Sequence, residues 1–455
     1  MSACLGAFMA TLDTSIVNIA LPRIAADFGS SLSQIAWVMV IYLLVNVSLL
    51  LSSGRLGDML APGKLYLLGM LIFTGASAGC ALSPSLSWMV AGRALQGLGA
   101  SLMLGLAPKL ISLAYGVGER GLALGLLSMA FATGISVGAP LGGIITSYLG
   151  WPYIFFINLP ICSVALLLGR RSLAPLPATG AWDWRSFDLW GGLTLAGALG
   201  LFLLGVTWLR ETGGHGGWTP GALGGAAALV ILLVFLERRQ AAPLIHPGLW
   251  RSWPFIAGSL AVVLLFAAVM GTFFLLPFFL EQIYHLPPDA AGFLLAALSI
   301  TNALVAPLGG YLADRLGNLA VLRVGSGLTL LGLGSLLVTT PETAISHLAA
   351  RFALLGLGFG LFQAPNLNEI LRGVPPSLLG LAAGTNSVLK NLGSLLGISL
   401  SVAVFSWSHL HRVGLKAGEY WGTGPFQVAF VAAALVAAVN LAVSLLPRQS
   451  QDSRP

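Results

Sequence analysis

The chain has 455 residues, 57% of them hydrophobic and 8% charged, with a mean hydropathy of +0.91 and a formal net charge of +7. Soluble domains carry about 25% charged residues, so a soluble fold has nowhere to put this much apolar surface, and lipid must be the solvent. Nor is the positive charge a nucleic-acid footprint: the basic residues sit mainly in short breaks between apolar runs, the placement that orients membrane spans.

A spanning helix needs roughly 20 mostly apolar residues. Inside lipid every backbone N–H and C=O must find a partner, which leaves helices or closed barrels. Barrel strands alternate over about 10 residues, and the runs here are longer and uniformly apolar. In chain order they predict helices over 3–24, 34–54, 63–83, 87–113, 121–148, 152–169, 187–208, 220–237, 254–280, 290–312, 319–340, 344–366, 379–407 and 425–446. The 58 glycines and 24 prolines fit this reading, because small residues let membrane helices approach closely and neighbours re-satisfy broken backbone bonds. The first run contains Asp13, Asn18 and Arg23 and reads as a span rather than a cleavable signal.

An even number of spans puts both termini on one side. The loops on that side hold most of the 22 lysines and arginines, among them Arg55, Lys64, Arg120, Arg170, Arg171 and Arg238. The positive-inside rule then places both termini in the cytoplasm. Cys4, Cys80 and Cys162 lie far apart within apolar runs and match neither a disulfide framework nor a metal site.

Landmarks recur along the chain. Gly54-Arg55-Leu56-Gly57-Asp58 leaves the second span and Gly310-Tyr311-Leu312-Ala313-Asp314-Arg315-Leu316-Gly317 leaves the tenth, with Asp58 and Asp314 separated by 256 residues. Arg93, followed by Gly97 and Gly99, and Arg351, followed by Gly356 and Gly358, are separated by 258. The repeat predicts two six-helix halves in the same orientation, 1–172 and 252–455, with two inserted helices in 173–251. Parallel halves with a site at the bilayer midplane are a transporter plan.

Several motifs carry a family resemblance over nearly the whole chain. They are Leu12-Asp13-Thr14-Ser15-Ile16-Val17-Asn18-Ile19-Ala20-Leu21-Pro22, the loop from Gly54 to Lys64, Arg93-Ala94-Leu95-Gln96-Gly97-Leu98-Gly99, the series Gly125, Gly134, Gly138, Gly142 and Gly143, and Phe156-Ile157-Asn158-Leu159-Pro160. In these the chain resembles the 14-helix drug:proton antiporters of the major facilitator superfamily. Two departures stand out. The loop after Asp58 lacks most of the family's positive charge, and Pro140 falls one place late in the fifth-helix motif. The resemblance implies an all-α multi-pass membrane protein with the major facilitator fold. Its two pseudo-symmetric halves would bracket a cavity that opens alternately to each side.

Asp13 is the sharpest candidate for chemistry, since an ionisable group in mid-span is costly and marks function by default. Arg93 cannot lose its proton and must be paired or hydrated; the resemblance implicates its position in proton coupling. Asp13 is expected, in apolar surroundings, to exchange the proton, with Arg93 biasing it. Asn18, Trp37, Tyr42, Asn46, Gln96, Phe274, Asn302 and Gln363 are candidate substrate-cavity residues. Gly54, Arg55, Asp58, Asp314 and Arg315 are expected to form a conformational latch. Gly134, Gly138, Pro140, Gly142 and Gly143 form the antiporter motif, where small residues admit a partner helix. Gly134-Ile135-Ser136-Val137-Gly138 also spells a hydrolase elbow, but that device needs a strand-turn-helix, so no enzyme is expected.

Lys109 and Lys390 are expected to snorkel to an interface. Glu281 and Glu369 are expected to be solvated at loop edges, and His409 with His411 is too small a set for a metal. The expectation is therefore a monomeric exporter in a bacterial cytoplasmic membrane. It would move an amphiphilic small molecule against protons, with no metal, cofactor or nucleic acid. A dedicated exporter or symporter of one metabolite, lipid or siderophore stays open, as does, more remotely, a membrane sensor.

Overall fold

The computed structural model describes residues 1–115, 119–173, 189–211, 218–239, 248–375, 378–413 and 423–446. These residues form helices α1 (Ser2–Asp27), α2 (Leu32–Met59), α3 (Pro62–Ala81), α4 (Leu86–Ala114), α5 (Arg120–Tyr148), α6 (Tyr153–Phe156), α7 (Asn158–Ser172), α8 (Leu189–Glu211), α9 (Trp218–Arg239), α10 (Trp253–Ile283), α11 (Pro288–Leu316), α12 (Asn318–Leu337), α13 (Ile345–Arg372), α14 (Leu379–Val413) and α15 (Thr423–Leu445). Twelve stretches among the described residues are long and apolar enough to cross a bilayer, with α6 and α7 counted together; α8 and α9 contribute two shorter apolar cores, Gly191–Gly205 and Thr219–Leu233.

Local chemistry sets the helix ends. Ser31 opens α2 with a capping box: its side chain accepts from the Gln34 N–H, and Gln34 Oε1 accepts from the Ser31 N–H at 2.9 Å, so two otherwise orphaned donors are satisfied. Ser85 and Ser252 cap α4 and α10 with one bond each, their side chains accepting from the Trp88 and Phe255 N–H. Gly317 ends α11 at φ 87, a left-handed conformation that suits glycine, and its N–H donates to the Ala313 carbonyl. The predicted sixth span is broken at Ile157 into α6 and α7.

The predicted loop motif is mostly helix. Gly54, Arg55 and Asp58 belong to the last turns of α2, Lys64 to the first turn of α3, and Asp314 and Arg315 to the last turn of α11. Helical pairing simply continues past the apolar stretch, which composition alone could not show. His409 and His411 likewise lie in the last turns of α14 and not in a loop.

The chain divides into two compact units, Met1–Leu244 and Ile245–Pro455. In the first, α1 packs on α5, while α4 packs on α2 and α3. In the second the same scheme recurs, with α10 on α14 and α13 on α11 and α12. The pair α8–α9 lies in the first unit, where α8 meets α2; a Cβ on Gly192 would fall 3.0 Å from the Ser48 carbonyl oxygen.

The closest contacts are made by glycine. Along α5, Gly134, Gly138 and Gly142 recur every four residues and so share one face. A Cβ on Gly138 would meet the Ser15 Cβ at 2.5 Å and the Leu12 carbonyl at 3.0 Å; at Gly142 it would meet the Ile16 carbonyl at 2.9 Å. Helix α1, which carries Asp13, therefore lies backbone to backbone on α5, and Ser15 Oγ donates to the Ile135 carbonyl at 2.9 Å. Ser136 sits inside this continuous helix. In the second unit Gly393 and Gly397 of α14 do the same against Val263 and Ala267 of α10.

Candidate functional site

The first unit closes around Asp13. Its side chain is wholly buried, as are those of Arg93, Gln96 and Asn158. Asp13 Oδ2 accepts from Arg93 Nη1 at 2.5 Å, and Oδ1 accepts from Asn158 Nδ2 at 2.9 Å and Gln96 Nε2 at 3.3 Å. Arg93 Nη1 also donates to Gln96 Oε1 at 2.9 Å, and its Nε donates to the Val38 carbonyl at 3.0 Å. The guanidinium lies 4.4 Å from the centre of the Tyr42 ring, a cation–π contact that favours the charge in a dry site. Asn158 Nδ2 further donates to Ser77 Oγ at 2.8 Å, and Ser77 Oγ donates to the Phe155 carbonyl at 2.9 Å.

Helices α1, α2, α3, α4 and α7 thus each contribute a group to one knot. Gln96 reaches Arg93 because it lies one turn along α4. The expectation of apolar surroundings for Asp13 is corrected: each carboxylate oxygen is met by a donor, because a buried charge must be paired and hydrogen-bonded. Asn158 and Ser77 are missing from the expected site residues. The signal for Asn158 was the Phe156–Pro160 motif, where a lone amide stands in an apolar run; Ser77 left none.

The other expected residues divide. Tyr42 and Gln96 belong to the knot; Asn18 and Asn46 are buried in α1 and α2. Trp37 is half-buried on α2. Phe274 is enclosed, its ring centre 5.8 Å from that of Phe278. Asn302 and Gln363 come together in the second unit, where Gln363 Nε2 donates to Asn302 Oδ1 at 3.1 Å. Of the latch residues, Gly54 and Arg55 are half-buried on α2, and the Asp58 side chain lies outside the described residues. Asp314 and Arg315 are exposed, and the Arg315 guanidinium stacks 4.6 Å from the Tyr311 ring centre. Gly134, Gly138, Gly142 and Gly143 are buried and Pro140 is half-buried, all within α5.

Lys109 Nζ donates to the Gly57 carbonyl at 2.6 Å and ties α4 to the end of α2. Two expectations about charged residues are corrected. Lys390 lies half-buried on α14, its Nζ 3.5 Å from Gln363 Oε1 and 5.5 Å from the Phe266 ring centre. It stands eleven residues from the helix start, about 16 Å along the axis at the α-helical rise, too deep for its stem to reach the end. Glu369 is not solvated: it is buried on α13, accepting from Asn318 Nδ2 at 3.0 Å with Arg372 at 4.0 Å.

Comparison with known proteins agrees with this architecture. A family model for the Major Facilitator Superfamily matches residues 3–398 and 258–455. The riboflavin transporter RibZ of Clostridioides difficile (strain 630) is 35% identical over 413 residues, covering 91% of this chain and 89% of the relative. The tetracenomycin C resistance and export protein of Streptomyces glaucescens is 30% identical, covering 99% and 84%. The multidrug resistance protein Stp of Mycobacterium tuberculosis (strain CDC 1551 / Oshkosh) is 31% identical, covering 88% and 74%. A crystal structure of the peptide transporter POT in complex with sulfate shares the fold at a TM-score of 0.67 and 16% identity, covering 97% of this chain and 93% of that one. Fold and family together define a multi-pass membrane transporter of small molecules, not an enzyme. The chain belongs to the Major Facilitator Superfamily.

Proposed function

We propose that the chain is a proton-coupled exporter of amphiphilic organic molecules. It works as a monomer in a bacterial cytoplasmic membrane, with both termini in the cytoplasm. The observation that carries this reading is the wholly buried Asp13–Arg93 pair at the meeting point of five helices. A carboxylate held this way has two states of very different bonding. Ionised, it accepts from Arg93, Gln96 and Asn158. Protonated, it must turn one oxygen into a donor, and the attraction to Arg93 falls away. Proton binding thus loosens α1 from α4, and a transporter shifts between its states only through such differences in interaction energy. In the exporting cycle the outward state admits the proton and the inward state releases it, while substrate moves the other way. Relatives named for multidrug resistance and for tetracenomycin C export support the direction and the substrate class.

A second reading, carriage of a single metabolite, is favoured by the riboflavin transporter at 35% identity. One experiment addresses both. Purified protein in proteoliposomes under an imposed pH gradient is challenged with amphiphilic cations, anions, neutral dyes and riboflavin while internal pH is followed. Proton movement triggered by several compounds, and abolished in Asp13→Asn, is the expected outcome. A response to riboflavin alone selects the second reading. Proton movement that survives Asp13→Asn removes Asp13 from the coupling role, and transport with no proton movement rejects antiport.

A further inference from the structure

Lys390 is a cation set deep in α14. Among the described residues the structure records no ion pair for it, only a long hydrogen bond to Gln363 Oε1 and the face of Phe266. The helices packed on α14 are α10, α13 and α15. Their acidic side chains are Glu281 on α10 and Glu369 on α13; α15 has none. Glu369 is already held by Asn318 and Arg372. Glu281 lies fifteen residues beyond Phe266 on the same helix, about 22 Å along the axis.

The neighbouring amides are oriented by this charge. Gln363 turns its carbonyl toward the Lys390 ammonium, so its NH2 faces Asn302 Oδ1 at 3.1 Å. Asn302 uses its oxygen in that bond and adds its own NH2 as a further donor. The group therefore presents donors at both ends and a net positive charge. Its wall is aromatic: Phe266 and Phe359 meet edge to face with ring centres 5.0 Å apart, and Phe359 lies one turn before Gln363 on α13. The close packing that Gly393 and Gly397 allow between α14 and α10 holds the lysine over the Phe266 ring. A half-buried ammonium with unused hydrogen-bonding capacity is costly in an apolar bundle. A ligand that supplies the missing charge would remove that cost.

We infer that the second unit carries a recognition site for the anionic group of an amphiphilic substrate. A carboxylate, sulfonate or acidic phenol would pair with Lys390 and accept from Asn302, while the ring system to which it is attached packs on Phe266 and Phe359. The inference rests on the reading of the chain as a carrier of amphiphilic organic molecules and narrows it to organic anions.

The test is equilibrium binding to the full chain in lipid nanodiscs, which requires neither transport nor proton coupling. Fluorescein is the anionic probe and ethidium the cationic one, both followed by fluorescence anisotropy. Wild type is expected to bind fluorescein saturably and in preference to ethidium. Lys390→Gln should weaken fluorescein about tenfold or more, the cost of losing a hydrogen bond to a charged group. Lys390→Arg should largely restore it. Gln363→Glu puts an internal carboxylate where the Gln363 Oε1 already faces Lys390 Nζ at 3.5 Å, and should weaken fluorescein as Lys390→Gln does; its elution as a monodisperse species checks folding. Fluorescein affinity unchanged in both variants, absence of saturable fluorescein binding to wild type, or a wild-type preference for ethidium would each overturn the inference. Fluorescein binding without proton movement in proteoliposomes would instead sink the coupling proposal and leave this site standing.

Discussion

At the scale of single residues the first unit turns on one ion pair. Arg93 and Asp13 are both fully buried, and removing one partner of a buried pair leaves an uncompensated charge that costs about 3–5 kcal/mol. Arg93→Ala should therefore lower the thermal unfolding midpoint in detergent much more than surface changes do. The double variant Asp13→Asn with Arg93→Gln should recover most of that loss, because neutral amides can satisfy each other. It should still fail to couple protons. Equal midpoints for the single and double variants would show that the pair is not stabilising as a pair. Asp13 and Arg93 were readable from sequence because ionisable residues in an apolar run advertise themselves. Asn158 and Lys390 were not read correctly for a shared reason: an amide and a long flexible amine each have an innocent use in a membrane helix, and only the neighbours decide between uses. For Lys390 the deciding facts are its depth along α14 and the face of Phe266 beneath it.

At the scale of helices the glycine face of α5 sets where α1 can lie. Gly138→Val would drive a side chain into Ser15 Cβ and the Leu12 carbonyl, an overpacking that costs about 1–3 kcal/mol. It would also move the Asp13 backbone away from Arg93. Transport should fall sharply while expression persists. Gly125→Ala, with nothing within 4 Å of the new methyl, is the matched control and should behave as wild type in proton-release assays. Equal activity of the two variants would show that the tight α1–α5 contact is dispensable. Helix existence was legible from run length, because lipid removes nearly every alternative to a helix. Helix ends were less so: α2 continues through Arg55 and Asp58, since a chain leaving the apolar layer can keep its hydrogen bonds in water as well. The break at Ile157 does have a signal in the sequence, Pro160, which has no N–H for the Phe156 carbonyl four residues back.

For the whole molecule, the units differ in what they bury. In the first, the fully buried Asp13 and Arg93 cancel; in the second, Lys390 meets no carboxylate among the described residues. The recurrence of Asp58 in Asp314 and of Arg93 in Arg351 pointed to two related halves, yet it gave no hint of this difference, because neither Asp13 nor Lys390 belongs to the repeated landmarks. The difference has an electrical consequence. If one proton enters for each monovalent anion that leaves, both movements carry positive charge inward, and each turnover transfers two charges. Every charge crossing the bilayer exchanges about 2.3 kcal/mol per 100 mV of membrane potential. Export of an organic anion through this chain should therefore be strongly voltage-driven, speeding up under an interior-negative valinomycin–potassium potential even with no pH difference, whereas exchange of a proton for a monovalent cation would be indifferent to voltage.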